Sequence, residues 1–252
     1  MNLVIDIGNT YAKAAVFQGE TLLHSVHCRA DKPTELIDFT ETYKKDIGHC
    51  IVSSVGQPNA ALHEYLSACP FQIVVLNADM PLPFVNLYRT PHTLGSDRAA
   101  AVVGAVTCFP KQTVLIIDMG TCVTYDLVDG QGIYRGGNIS PGISLRLMTL
   151  HEHTARLPLV SEEGEMPEIG MDTDTAIRNG VIRGMQYEVN GYIDDILRQY
   201  PDAKIVLTGG KKKLLHIDSR WKPNIVIDCH LVEKGLNAVL LLQAQNDAAG
   251  GQ

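Results

Sequence analysis

Several features that would assign the chain to other protein classes are missing from its sequence. Its six cysteines include no Cys-x-x-Cys pair, the spacing common to structural zinc sites, so no such site is expected. No run approaches the roughly 18 apolar residues of a membrane helix. The apolar start is short and Asp6 interrupts it, unlike a secretory signal. We therefore expect a cytoplasmic protein with reduced cysteines and no membrane partner.

Charge and aromatic content exclude another class of partner. The chain has 21 basic and 28 acidic residues, a net charge of -7, and no basic patch of the kind that binds nucleic acid. Its single tryptophan and its scattered aromatic residues form no base-stacking platform. We expect no nucleic-acid partner. A length of 252 residues allows one large domain or two modest ones.

A polar Asp-x-Gly turn occurs twice, each time between two apolar runs that read as strands. The first turn, Asp-Ile-Gly-Asn-Thr, occupies residues 6–10, and the second, Asp-Met-Gly-Thr, occupies residues 118–121. The offset is 118 − 6 = 112 residues, and a Gly-containing hairpin follows in both copies. An internal repeat of this kind predicts two like-folded lobes. The predicted domains are residues 1–112 and 113–252.

Hydrophobic periodicity predicts the elements outside the repeat. The helix at 176–200 has the clearest pattern, with apolar residues three or four apart from Ile177 to Ile196. The segment 136–142 reads as a backbone-permissive loop after a strand, with a plain turn as the alternative. Further strands are predicted at 50–55, 72–76 and 204–207, and further helices at 60–68, 96–107 and 236–245.

The residue types of the repeated turn suit phosphate binding. Glycine lets the backbone approach a ligand closely, and successive N–H groups can cradle phosphate oxygens. The carboxylate of Asp6 can hold hydrated Mg²⁺, and Lys13 adds a cationic contact. The alternative is a plain hairpin in which the aspartate caps its own turn. Two copies in register favour phosphate binding, in which each copy contacts one side of a triphosphate.

The tetrapeptide Gly95-Ser96-Asp97-Arg98 begins a predicted helix and contains a candidate base. A kinase that acts on an alcohol needs a carboxylate within reach of the hydroxyl, and Asp97 is the candidate. Arg98 offers a planar fork for a substrate carboxylate or for phosphoryl charge. The alternative is that Asp97 only complements the helix dipole and that Arg98 is solvated.

Together these motifs resemble type III pantothenate kinase, a family of the acetate/sugar-kinase, heat-shock-chaperone and actin superfamily. The two turns resemble its two phosphate motifs, and the resemblance runs in order and spacing from Asp6 to about Leu240. The remaining motifs are matched by Gly95-Ser96-Asp97-Arg98-Ala99-Ala100, by residues 136–142, and by Thr173-x-x-Ala176-x-x-x-Gly180.

The resemblance implies a fold and a reaction. The fold is α/β, with two duplicated actin-like (ribonuclease-H-like) lobes, mixed sheets flanked by helices, and an ATP cleft between the lobes. The reaction is the ATP-dependent phosphorylation of pantothenate to 4'-phosphopantothenate, the first step of coenzyme A biosynthesis. It implies Mg²⁺ with ATP, a monovalent cation (K⁺ or NH₄⁺), and a homodimer. Part of the apolar stripe from Ile177 to Ile196 is expected to serve that dimer.

The resemblance also implies roles for individual residues. Asp97 is the catalytic base, Asp118 is the monovalent-cation ligand, and Asp6 reaches Mg²⁺ through water. The residues expected to contact the substrate are Tyr88, Gly95, Ser96, Asp97, Arg98 and Thr173. The residues expected to contact ATP are Asp6, Ile7, Gly8, Asn9, Thr10, Tyr11, Ala12, Lys13 and Thr121. The segment Thr208-Gly209-Gly210 resembles the superfamily's nucleoside-facing loop, and Lys211-Lys212-Lys213 after it reads as a solvated face.

Several alternatives stay open at this stage. Asp118 either binds K⁺ directly or reaches Mg²⁺ through water. The motif spacing fits Thr173, but Thr175 lies close, and Asp172, Thr173 or Asp174 could merely cap the long helix. The alternative for Tyr88 is an ordinary half-buried aromatic residue.

Rival functions are a non-catalytic nucleotide-binding transcriptional accessory factor of the same family, a kinase of this fold for another small alcohol, and a chaperone-like or filament-forming ATPase. The presence of Asp6, Asp97 and Asp118 together favours a catalyst over an accessory factor.

Overall fold

The fold combines β-strands with α-helices, and each Asp-x-Gly turn lies within a run of three consecutive strands. The computed structural model describes residues 1–56, 59–210 and 218–250. The strands are β1 Asn2–Ile7, β2 Tyr11–Gln18, β3 Thr21–Arg29, β4 His49–Ser54, β5 Gln72–Val75, β6 Val85–Asn86, β7 Val114–Met119, β8 Cys122–Val128, β9 Ile133–Pro141, β10 Lys204–Thr208 and β11 Ile225–Ile227. The α-helices are α1 Thr34–Tyr43, α2 Ala60–Ser67, α3 Ser96–Cys108, α4 Ile143–Glu152, α5 Thr173–Gln199 and α6 Leu231–Gly250.

These elements form two compact units. The first comprises residues 1–111, 128–136 and 230–252, and the second comprises residues 112–127 and 137–229. The two domains predicted from the repeat, 1–112 and 113–252, stay a prediction. In the structure the C-terminal helix α6 belongs to the first unit, because it packs on α3, β1 and β4.

The first unit is built on a five-stranded mixed sheet in the order β3-β2-β1-β4-β5. β1 pairs antiparallel with β2 and parallel with β4, and this register places Lys13 and Ser53 on either side of Asp6. Leu3 and Ile5 of β1 are fully buried in a core that α1 and α2 complete. Paired residues point to the same face of a sheet, so the side chains of Asp6, Lys13 and Ser53 share one face.

Helices α3 and α6 approach each other closely because glycines lie at their contact. A Cβ atom at Gly235 would overlap the carbonyl oxygen of Ala100, and one at Gly104 would overlap the carbonyl oxygen of Leu231. The buried face of α3 is rich in alanine and valine, which also keeps the helix axes close. This contact fixes the first turn of α6 relative to the beginning of α3.

The second unit repeats the strand order of the first. Its strands follow the order β11-β10-β7-β8-β9. In the repeat, β7 to β11 correspond in turn to β1 to β5. The order is therefore that of the first sheet, read from the opposite edge. β10 runs parallel to both β7 and β11. The predicted duplication of a mixed α/β sheet is therefore confirmed by the topology.

The segment that was predicted as a loop at 136–142 is mostly strand. Residues 136–141 lie in β9, and Gly142 is the residue before α4. The loop prediction was wrong because pairing in the sheet overrides the weak strand propensity of two consecutive glycines. The start of β9 belongs to the first unit, where Ile133 and Tyr134 pair with Val85 and Asn86 of β6.

The apolar stripe of α5 lies inside the second unit. Five of its residues are buried in the core that α5 forms with the sheet: Ile177, Val181, Met185, Val189 and Ile193. The sixth, Ile196, is partly buried against the same core. The expectation that part of this stripe serves a dimer was therefore wrong, because the unit's own sheet and α4 cover it. Within the described part of the chain, no helix combines the length and the apolar character required to span a bilayer.

Candidate active site

The first turn joins β1 to β2 and is held by backbone contacts. The N–H of Gly8 donates to the carbonyl of Tyr11 at 2.9 Å, and the N–H of Val55 donates to the carbonyl of Ile7 at 3.0 Å. Gly56 packs directly against the turn, since a Cβ atom there would lie 2.5 Å from the carbonyl oxygen of Gly8. These contacts rigidify the turn.

The carboxyl group of Asp6 lies in a poorly solvated and negatively charged environment. Burial, followed by the nearby charges of Glu233 and Asp97, raises its pKa to about 7, although Lys13 and a hydrogen bond from Ser53 act in the opposite direction. Its Oδ1 atom is buried and has no hydrogen-bond partner among the described residues. A carboxyl group in this situation gains from a cation beside it, so Asp6 fits a hydrated Mg²⁺ ion.

Two serines connect the first turn to the beginning of α3. The hydroxyl oxygens of Ser53 and Ser96 lie 2.9 Å apart, and Ser53 is fully buried. Ser53 also lies beside Asp6 in the parallel pairing of β1 with β4, so Ser53 connects Asp6 with Ser96. Sequence analysis selected Ser96 and missed Ser53. The available signal was that Ser53 is the penultimate residue of β4, whose neighbour β1 is parallel and ends at the same edge of the sheet.

The side chain of Asp97 turns back toward the backbone at the beginning of α3. Its Oδ1 atom accepts the N–H of Arg98 at 2.8 Å. A Cβ atom at Gly95 would lie 2.5 Å from this same oxygen, so only glycine leaves room for the carboxylate there. The positive end of the helix dipole favours the ionised form of such a carboxylate. The structure therefore places a candidate base one residue from Ser96 and close enough to Asp6 to influence its pKa.

Arg98 is buried among aromatic side chains. Its Nη2 atom donates to the hydroxyl of Tyr134 at 2.9 Å, and its guanidinium lies 5.7 Å from the ring centre of Tyr88. The rings of Tyr88 and Tyr134 lie 6.1 Å apart, and Tyr134 is fully buried. The alternative of a solvated Arg98 is therefore wrong. Sequence analysis missed Tyr134, since its position in β9 fell just before a segment read as a loop.

A second charged group lies beside the first turn. The Nζ atom of Lys13 is 3.4 Å from Oε1 of Glu233, in the first turn of α6, and Nδ1 of His230 is 3.7 Å from the same oxygen. Glu233 is 233 − 6 = 227 residues away from Asp6 in sequence. No local motif marks it, so sequence analysis missed it.

The second turn lies between β7 and β8 in the second unit. Asp118 is opposite Thr208 in the parallel pairing of β7 with β10. A Cβ atom at Gly209, where φ is +84°, would lie 2.6 Å from Oδ1 of Asp118. The N–H of Gly142 donates to the carbonyl of Thr121 at 2.9 Å. The end of β10 and the end of β9 therefore both reach the second turn.

A polar network supports the segment that leads from β9 into α4. Arg146 donates through Nε to the carbonyl of Pro141 at 2.7 Å and through Nη2 to the hydroxyl of Ser140 at 2.8 Å. It also pairs with Glu188, which accepts the hydroxyl of Tyr125 at 2.7 Å. Burial, followed by this bond to Glu188, raises the pKa of Tyr125 and keeps it protonated. None of these roles was predicted from the sequence.

Comparison with known proteins places the chain in a family. The family model described as type III pantothenate kinase matches residues 2–195. A type III pantothenate kinase of Bacteroides fragilis is 46% identical over 242 residues, which cover 95% of this chain and 97% of that protein. One from Flavobacterium johnsoniae is 36% identical over 248 residues, covering 98% of this chain and all of that protein.

The chain belongs to the type III pantothenate kinase family.

Solved structures that resemble the chain support the fold of this family. A conserved Campylobacter jejuni protein, described as a Baf family transcriptional activator, has a TM-score of 0.61 and 21% identity over 96% of this chain and 99% of that one. An activator of 2-hydroxyisocaproyl-CoA dehydratase from Clostridium difficile, solved with bound ADPNP, has a TM-score of 0.57 and 14% identity, covering 100% and 97% of the two chains. At these identities the likeness shows the fold alone.

The two threonines of the type III pantothenate kinase motif at the start of α5 have different surroundings. Asp172 caps the helix, and its Oδ1 atom accepts the N–H of Thr175 at 2.8 Å. The hydroxyl of Thr175 completes a capping box with the N–H of Asp172 at 3.1 Å. Thr173 is exposed and lies in an apolar groove of about 400 Å³ with Leu150, Leu157, Ala176, Ile177, Gly180 and Val181. The cap therefore engages Thr175, which leaves Thr173 as the better candidate for a ligand contact.

The loop after β10 is described only in part. Thr208 ends the strand, and Gly209 and Gly210 follow it. The lysines predicted to form a solvated face, Lys211–Lys213, lie outside the described residues.

Proposed function

We propose that the chain catalyses the ATP-dependent phosphorylation of pantothenate to 4'-phosphopantothenate, the first step of coenzyme A biosynthesis. Relatives that carry the name type III pantothenate kinase over nearly the whole chain support this proposal. The structural observation that carries it is the cluster of Asp6, Ser53 and Ser96 beside Asp97. It joins a phosphate-type turn to a candidate base within one unit of the structure.

In this proposal Asp97 is the general base of the transfer. It accepts the proton of the substrate's primary hydroxyl while the hydroxyl oxygen forms a bond to the γ-phosphorus of ATP. The bond between that phosphorus and the β–γ bridging oxygen breaks, and ADP leaves with the electron pair. The N-terminal end of a helix dipole favours negative charge, which suits a carboxylate at the start of α3.

Arg98 is proposed to orient the substrate. Pantothenate carries a carboxylate, and a planar guanidinium binds a carboxylate through two parallel hydrogen bonds. The bond to Tyr134 and the ring of Tyr88 limit the orientations that Arg98 can adopt. From the family resemblance, Tyr88, Gly95, Ser96 and Thr173 are the remaining substrate contacts.

The first Asp-x-Gly turn is proposed to bind the phosphates of the nucleotide. Mg²⁺ bound with ATP supplies positive charge to the phosphate oxygens. Asp6 would hold that ion through water, which agrees with its buried and unpartnered Oδ1 atom. The proposed ATP contacts are Asp6, Ile7, Gly8, Asn9, Thr10, Tyr11, Ala12, Lys13 and Thr121.

We propose Asp118 as the ligand of a monovalent cation, K⁺ or NH₄⁺. Gly209 leaves a small cradle at its Oδ1 atom that a side chain would fill. Among residues 1–56, 59–210 and 218–250, no group of three or more His, Cys, Asp or Glu is arranged to hold a metal ion. A site with one carboxylate and backbone carbonyls suits a large monovalent ion better than a tightly bound transition metal.

A homodimer is also proposed from the family resemblance. The exposed side chains of Met171 and Tyr187 offer apolar surface in the second unit. Light scattering of the purified protein tests this proposal, and the mass of a single chain at micromolar concentration would refute it.

The decisive experiment measures ADP release from ATP with Mg²⁺ and K⁺, with and without pantothenate, beside a panel of sugars and acetate. We expect turnover that depends on pantothenate and falls when Na⁺ replaces K⁺. Equal turnover without any acceptor, or preference for another alcohol, would contradict the proposal. Nucleotide binding without turnover would favour the accessory-factor alternative.

A further inference from the structure

A buried carboxylate that the proposed mechanism does not use lies beside the first turn. Glu233 is only 1% exposed, although it lies in the first turn of α6. Close packing at Gly104 and Gly235 fixes this turn of α6 against α3. A buried ionised carboxylate weakens a fold unless charged partners compensate for its lost hydration.

The partners of Glu233 are two cationic or potentially cationic side chains. Its Oε1 atom lies 3.4 Å from Nζ of Lys13 and 3.7 Å from Nδ1 of His230, while Oε2 is buried without a hydrogen-bond partner among the described residues. Burial favours its protonated form, but His230 and Lys13 outweigh burial and hold the pKa of Glu233 below its ordinary value. Glu233 is therefore ionised at neutral pH, and its negative charge acts on both Lys13 and Asp6.

Lys13 carries the ammonium group that Glu233 can hold near the first turn. It lies opposite Asp6 in the pairing of β1 with β2, and its side chain is 32% exposed. A lysine has four rotatable bonds and loses much rotamer freedom when its ammonium is held in one place. The buried carboxylate of Glu233 restricts the motion of the Lys13 side chain before a ligand binds.

We propose that Glu233 is a positioning residue that holds the ammonium group of Lys13 beside Asp6, in place to meet the phosphates of a nucleotide. This inference rests on the proposed role of the first turn in nucleotide binding. Preorganisation of this kind lowers the entropic cost of binding the nucleotide and leaves the binding of the acceptor unchanged. The effect should therefore be confined to the nucleotide.

The test compares Glu233→Met and Glu233→Gln with Lys13→Met and with the double variant Glu233→Met/Lys13→Met. Calorimetry measures the Kd for Mg-ATP, steady-state kinetics gives the KM for each substrate, and thermal unfolding reports stability. Glu41→Met is the matched control, since Glu41 forms an exposed ion pair with Lys44 at 2.8 Å. The control should leave every binding constant unchanged.

We expect Glu233→Met to weaken Mg-ATP binding roughly 2- to 12-fold, the factor that corresponds to about 0.5–1.5 kcal/mol for ordering one long side chain. The KM for pantothenate should not change. The Tm should fall slightly, because Lys13 and His230 lose the charged partner whose pKa they hold below its ordinary value. In the Lys13→Met background, Glu233→Met should have no further effect on Kd. Glu233→Gln, which keeps the size, should behave like Glu233→Met.

Three results would overturn the inference. If Lys13→Met weakens Mg-ATP binding and neither Glu233 variant does, Glu233 does not position the lysine, and the proposed nucleotide site stands. If Lys13→Met itself leaves Kd unchanged, the role of Lys13 in the proposed function fails together with this inference. If the Kd for Mg-ATP, the KM for pantothenate and the Tm all worsen in both Glu233 variants, Glu233 serves only the fold.

Discussion

Replacing Asp6 with asparagine should stabilise the metal-free protein at alkaline pH while removing its activity. The carboxyl group is surrounded by buried surface and by the negative charges of Glu233 and Asp97, which together outweigh Lys13. Its ionised form is therefore unfavourable unless a cation is present. Asparagine has nearly the same shape and cannot ionise.

The sign and the size of this effect follow from the pKa of Asp6. The unfolded chain releases the proton near pH 3.8, whereas the folded protein retains it until about pH 7. Between these values the folded state binds more protons, so stability falls as pH rises and the loss is complete above pH 7. A shift of about 3 units corresponds to at most about 4 kcal/mol. Because the side chain as a whole keeps some exposure, we expect about half of that, about 2 kcal/mol.

Thermal unfolding in buffer free of divalent cations measures this difference. At pH 8.5 the Asp6→Asn variant should melt about 4–8 °C higher than the unmodified protein, and the gap should shrink at pH 5. Asp38→Asn, at an exposed helical position, is the control and should show no pH-dependent gap. Mg-ATP should close the gap, because only the carboxylate gains from the bound ion. A gap that does not change with pH, or lower stability of Asp6→Asn at pH 8.5, would refute the reasoning.

Three further substitutions test other parts of the structure. Asp97→Asn should lower kcat by roughly 10²–10⁴-fold in the ADP-release assay, the usual contribution of a general base, and an unchanged rate would remove Asp97 from that role. Tyr134→Phe deletes the hydroxyl that accepts from Arg98 at 2.9 Å and should raise the KM for pantothenate about tenfold with the KM for ATP unchanged; equal changes in both constants would contradict this. Gly235→Ala should destabilise the fold by roughly 1–3 kcal/mol in urea titrations, because its Cβ atom would overlap a backbone carbonyl of α3. The matched change Gly191→Ala, which meets nothing within 4 Å in α5, should stabilise it slightly.

Sequence reasoning was most successful where a pattern is local. The Asp-x-Gly turns at 6–10 and 118–121 predicted a duplicated sheet, and the two strand orders confirm it. The periodicity of α5 predicted its span to within a few residues, since a 3.6-residue repeat is visible in any window of the chain. Reasoning from glycine content failed at β9, where pairing within the sheet decided the conformation of residues 136–141.

The sequence by itself determined the repeat, the two turns, and the segment that places Asp97 and Arg98 at the start of a helix. These features depend on residues a few positions apart, which propensity and turn chemistry control directly. Only the tertiary structure decided that Ser53, Tyr134 and Glu233 meet that segment and the first turn. They come from β4, β9 and α6, and parallel pairing, sheet order and the glycine contact between α3 and α6 bring them there. Contacts of this kind form between residues that are far apart in sequence, and they depend on which surfaces pack together in the folded chain. No single stretch of sequence contains that information.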